Sequence, residues 1–109
     1  MKTNGDAISI KPMPITVGSN VTVKYKGYLT QHNPESIIMH VGYGKNNNWT
    51  HVSDVSMKPS QGAWEGKINV KQYDSRLNIC FKDNHDHWDN NYGNNWSFEI
   101  RNGIRGLFK

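Results

Sequence analysis

The chain has one cysteine, Cys80, which excludes an intrachain disulfide and any multi-cysteine zinc site. Charged residues make up only 20% of it, too few for the usual charge-rich disordered segment, and four tryptophans, five tyrosines and three phenylalanines argue for a packed core. No apolar run approaches the length of a membrane span, and residues 1–6 precede no apolar stretch of the kind that forms a secretory signal. Helical periodicity is nearly absent. A nucleophile elbow, a phosphate loop and an HExxH motif are all missing, so catalysis has little to stand on. With 109 residues there is room for one domain, expected to span 1–109 and to be monomeric.

What is present is polarity without much charge. The mean hydropathy is −0.79, and asparagine supplies much of the polar character. A net charge of +4 raises the question of nucleic acid, but the lysines and arginines form no run or stripe that could track phosphates. Neither a nucleic-acid nor a membrane partner is expected.

Short alternating runs recur at the spacing of an all-β fold. Residues 8–10 open the series. Residues 21–28 alternate with Val21, Val23, Tyr25 and Tyr28 among the apolar positions, and 36–42 carry Ile37, Met39 and Val41 on one face. Trp64, Gly66, Ile68 and Val70 follow, then Leu77, Ile79 and Phe81, then Trp96, Phe98 and Ile100. Two sheets packed face to face would bury all of these, as in an antiparallel, immunoglobulin-like β-sandwich. Cys80 falls in the fifth run and reads as an inert buried thiol.

Parity also sorts the tryptophans. Trp64 and Trp96 are in phase with core positions. Trp49 and Trp88 belong to no alternating run and sit in two amide-rich stretches, 40–49 and 87–96, and are therefore the candidates for exposure. His40 points away from Met39 and Val41, so it projects outward from a strand just before Trp49. An exposed indole ringed by neutral amides suits a ligand with apolar faces and hydroxyl edges, which describes a sugar. If each of two tryptophans loses roughly 100 Å² to such a ligand, the gain is about 2.5 kcal/mol apiece. After ordering costs this fits a dissociation constant on the order of 10⁻⁵ to 10⁻³ M.

The run 83–89 raises a metal question, because His85-x-His87 lies among carboxylates. Alternate residues on an extended loop diverge, and a calcium loop would need glycine where Trp88 stands and glutamate where Asn94 stands. No metal and no other cofactor is expected. Asp89 reads as a loop organiser that accepts backbone N–H bonds.

Three stretches taken in order resemble the starch-binding carbohydrate-binding modules of family 25, with the related family 53 modules of plant starch synthases more distant. They are His40-x-Gly42-Tyr43-Gly44 with Asn48-Trp49, then Trp64-Glu65-Gly66-Lys67-Ile68, then Leu77-Asn78 to Phe81-Lys82-Asp83 leading into Trp88-Asp89-Asn90-Asn91-x-Gly93-Asn94-Asn95-Trp96. The resemblance covers about 21–100. It implies a non-catalytic β-sandwich that binds α-1,4-glucan (starch, glycogen or maltooligosaccharides) and is tethered to an amylase-type enzyme outside the cell. It also implies a sugar platform of His40, Trp49 and Trp88, with Asn90 and Asn91 as the polar part of the motif. Val41 stands where the family often has an aromatic, and Asn84-His85-Asp86-His87 replaces a glycine-containing turn. Residues 104–109 lie beyond the shared pattern, as a final strand or a linker. The rival reading is a β-sandwich that recognises protein, which should present a larger apolar patch with a charged rim.

Overall fold

A computed structural model describes residues 7–102; the segment 104–109 lies outside the described residues. Among the described residues, ten strands follow one another as β1 (Ile8–Lys11), β2 (Ile15–Thr16), β3 (Asn20–Tyr25), β4 (Ile37–Lys45), β5 (Asn48–Ser56), β6 (Lys58–Ser60), β7 (Ala63–Asn69), β8 (Arg76–Asp83), β9 (Trp88–Asp89) and β10 (Trp96–Arg101). One sheet has the order β1-β3-β7-β6 and the other β2-β10-β8-β4-β5, with β9 added to β8. Pairing is antiparallel except between β2 and β10, which run parallel. The architecture is the expected all-β sandwich with that single parallel exception.

The inward residues are those that period-two alternation selects. Val21, Val23 and Tyr25 of β3 are fully buried against Ile37, Met39 and Val41 of β4 and Leu77, Ile79 and Phe81 of β8. The Tyr25 ring stacks on Phe81 at 4.0 Å between centroids, and the edge of Trp96 closes the group at 5.4 Å from Phe81. Trp96 is thus core. Trp64 is only half-buried, packed on the margin of that core.

Two expectations need correction. The run 21–28 is not one strand: β3 ends at Tyr25, and Tyr28 begins a short 3-10 helix, Tyr28–His32, with its ring about half exposed. Tyr28 is out of phase with the odd-numbered inward positions, so the chain must break before it. Gly27 makes the break, because a Cβ there would lie 2.8 Å from the Tyr25 ring. The second correction is that Trp49 does not sit in a loop. It lies on β5, a nine-residue edge strand that alternation could not reveal, because nearly every residue on it is exposed on both faces.

β8 is buried on both faces from Leu77 to Phe81. One face is the core. The other, carrying Asn78 and Cys80, is roofed by side chains from neighbouring strands, and this outer face is where the candidate site residues collect.

Candidate functional site

The outer face of β4 presents His40, Gly42 and Gly44 in succession. Trp49, across on β5, lies over Gly42: a Cβ on residue 42 would sit 2.6 Å from Trp49 Cε3 and 2.9 Å from its Cβ. Absence of a side chain at Gly42 is what lets the indole settle onto the sheet. The indole Nε1–H donates to the carbonyl of Asn46 at 2.7 Å, which fixes the ring about its own axis. His40, two residues before Gly42, continues the surface, with its ring 5.6 Å from that of Trp49 and inclined to it by only 29°. Trp88 stands beside them, its ring 5.4 Å from His40 and nearly perpendicular at 86°. The Lys82 ammonium lies 5.2 Å from the Trp88 ring centroid, a cation–π contact that steadies a side chain left 46% exposed.

His40, Trp49 and Trp88 are therefore brought together, from three different strands, into a floor of two rings and one wall. Cys80 pairs with His40 in the β4–β8 register and faces the same way. It belongs to the underside of this floor and is absent from the hydrophobic core cluster. Burial, and then the fields of Asp54 and Asp89, push its thiol up to about 11, so it stays protonated and unreactive at neutral pH.

Two carboxylates hold the wall in place. Asp83 is buried at the end of β8, and its Oδ1 accepts the backbone N–H groups of His85 at 2.8 Å and His87 at 2.9 Å. His87 Nδ1 approaches its other oxygen at 3.0 Å, and the Asp83 N–H donates to the His87 carbonyl. Burial alone would raise the pKa of Asp83; these hydrogen bonds outweigh it and hold the carboxyl below its ordinary range. The chain is thereby turned back to form β9. Asp89 then accepts two hydrogen bonds, at Oδ2 from the Tyr25 hydroxyl at 2.5 Å and at Oδ1 from the Asn91 N–H at 3.1 Å. Burial foremost, and then the Asp89 hydrogen bond, drive the Tyr25 phenol far above its usual range, so it is a permanent donor. The wall is anchored in the core.

Asn90 and Asn91 shape the turn that follows. Asn90 Oδ1 accepts the Gly93 N–H at 3.0 Å, while Asn91 is buried and its amide donates to the Asn95 carbonyl at 3.0 Å. The two amide-rich segments are also tied to each other. Asn46 donates to the Asn94 carbonyl at 2.8 Å and accepts from the Asn95 amide at 3.0 Å.

Residues 21–79 match the family 53 starch/carbohydrate-binding module. The chain belongs to that family. Family 53, read from the sequence motifs as the more distant of the two resemblances, is the one that the chain matches. The module is also 30% identical over 96 residues to an α-amylase of Clostridium acetobutylicum, an alignment covering 87% of this chain and 12% of the amylase. It thus spans a small part of the length of that curated relative. No solved structure gives a significant match. The matched span contains His40, Gly42 and Trp49 and ends before Trp88 and the turn beyond it.

The module is a small non-catalytic binding domain. Among the described residues, no group of three His, Cys, Asp or Glu side chains is disposed to hold a metal ion. The rings of His85 and His87 are 6.2 Å apart, and Nδ1 of His87 is occupied by Asp83. No helix among the described residues is long and apolar enough to cross a membrane. Sequence reasoning missed Asp54, Asn46 and Lys82. The first became visible only with the β4–β5 register, which pairs it with His40.

Proposed function

We propose that the module binds α-1,4-glucan on His40, Trp49 and Trp88 and keeps an attached, secreted amylase-type enzyme close to starch or glycogen. The observation that carries this reading is the shape of the aromatic surface, a floor of two rings 29° apart with a wall at 86°. A β-1,4-glucan is a straight ribbon that suits a flat strip of coplanar rings. An α-1,4-glucan curves from one residue to the next, and a floor that turns up into a wall follows such a curve. The flanking amides and the free edge of His40 supply hydrogen-bonding partners for hydroxyls, and each indole buries pyranose C–H surface. The α-amylase relative supports the choice of glucan. Asn90 acts at the sugar edge through its amide nitrogen, and Asn91 acts through the turn it builds.

Affinity electrophoresis tests this directly. Amylopectin in the gel should retard the protein and mixed-linkage β-glucan should not. Equal mobility with and without amylopectin, or retardation by the β-glucan instead, overturns the assignment.

A further inference from the structure

Trp88 also lines a recess of about 330 Å³ together with Tyr28, Asp89, Asn90, Tyr92 and Trp96. This volume lies at the lower end of the range for small-ligand pockets, ~300 Å³. The recess combines aromatic walls with an amide and a carboxylate, the same mixture of surfaces that a pyranose requires.

Tyr92 is the informative residue. It is 98% exposed, so no part of the fold packs on it. Its φ is +57°, directly after Asn91 at +56°, a conformation that glycine or asparagine adopts readily and a tyrosine does not. The turn is locked: the Gly93 N–H donates to the Asn90 carbonyl at 3.1 Å, the Asn94 N–H to Asn91 at 3.0 Å and the Asn95 N–H to Asn90 at 2.7 Å. A bulky ring is thus held in solvent, in an unfavourable backbone region, by a turn that would form more easily without it. Folding gives no reason for an aromatic at this position. Tyr28, 52% exposed on the 3-10 helix, contributes a second ring to the same recess.

An independent observation concerns Trp96. It lines the recess, is more than nine-tenths buried, and its Nε1–H has no hydrogen-bond partner among the described residues. The nitrogen is itself closed off from solvent, so Trp96 contributes its indole surface, and not its N–H, to the recess.

We propose that this recess is an additional glucosyl-binding subsite in which Tyr92 and Tyr28 flank one pyranose ring. Trp88 belongs to both surfaces, so a single glucan chain runs from the His40–Trp49 floor past Trp88 into the recess. The inference rests on the α-glucan reading above and extends it from a short platform to a longer site.

Calorimetric titration with maltotriose through maltoheptaose decides the matter, using the wild-type chain, Tyr92→Gly and Trp49→Ala. Wild-type affinity should rise with chain length. Tyr92→Gly should bind maltotriose as the wild type does but lose most of that rise, ending roughly fivefold weaker for maltoheptaose. Trp49→Ala should weaken every length. Thermal melting provides the control: Tyr92→Gly should melt at or above the wild-type temperature, because glycine suits a positive φ. Wild-type affinity of Tyr92→Gly for every oligomer overturns the subsite while leaving the platform intact, and so does a lowered melting temperature. A wild type that binds none of the oligomers overturns the glucan reading itself.

Discussion

His40 Nδ1 lies 2.5 Å from Oδ1 of Asp54, directly across the β4–β5 ladder. A carboxylate can only accept, so the imidazole carries its proton on Nδ1 and, when neutral, offers Nε2 as a lone-pair acceptor. The ring is thus held in one tautomer and one orientation before any sugar arrives, which spares ordering entropy on binding.

The first prediction follows from that tautomer. With Nε2 as the acceptor at the sugar edge, His40→Ala should weaken glucan binding by roughly 1–2 kcal/mol. Asp54→Ala should weaken it by a smaller amount, because the ring is no longer oriented. Calorimetry of the wild type and the two variants provides the test, and unchanged affinity in Asp54→Ala rejects the orienting role.

Gly42→Ala should act as a switch on the platform without touching a sugar. The added methyl group would meet Trp49 Cε3 at 2.6 Å, far inside van der Waals contact, and the indole must lift off the strand. Alanine suits a strand better than glycine does, by up to about 1 kcal/mol, so global stability should change little. Affinity should drop by roughly 1–3 kcal/mol, about as much as in Trp49→Ala. Unchanged affinity for amylopectin would show that the seat of Trp49 is irrelevant to binding.

How far the sequence discloses this site depends on the face that each residue occupies. The odd-numbered apolar residues of β3, β4 and β8 are inward and alternate mostly with polar or small residues, so alternation identifies them, and it identifies His40 as outward by the same logic. β5 escapes detection because an edge strand with both faces in solvent needs no apolar period; its run from Asn48 to Ser56 contains only scattered hydrophobics. With β5 hidden, its register partner Asp54 could not be matched to His40. Cys80 shows the opposite limit. It is buried, as its residue type suggests, yet it lies under the floor of the site and not in the core, because a central strand can be covered on both faces. Tyr28 looked like an inward strand residue because Gly27, where the chain breaks, carries no pattern of its own.

The tryptophans should separate by role. Trp96→Ala removes a ring packed on Tyr25 and Phe81 and should cost on the order of 3–5 kcal/mol of stability. Trp64 is only half-buried, so Trp64→Ala should cost less than that. Trp88→Ala should leave melting nearly unchanged while reducing glucan affinity by roughly 1–3 kcal/mol. Melting temperatures that rank Trp88 above Trp96 would contradict the packing described above.

Asp83 makes the wall of the site sensitive to acid. Its folded-state pKa lies below the ordinary carboxylate value, because the hydrogen bonds from His85 and His87 outweigh its burial. A group depressed in this way contributes its stability above the ordinary value, and that contribution is lost as pH falls through the depressed one. The loss begins near the model-peptide pKa of about 3.9 and is complete below the folded-state value. Protonation takes away the carboxylate that gathers the 83–87 loop, so the chain entering β9 should loosen and carry Trp88 with it. Melting temperature should therefore fall as the pH drops below about 4, where the carboxyl of the unfolded chain takes up its proton first. Asp83→Asn should lower stability at neutral pH and flatten that fall, since an amide has no charge to lose. The same variant should bind glucan less tightly than the wild type although residue 83 touches no sugar. A pH profile of melting that is identical in the two proteins would mean that Asp83 does not hold the loop.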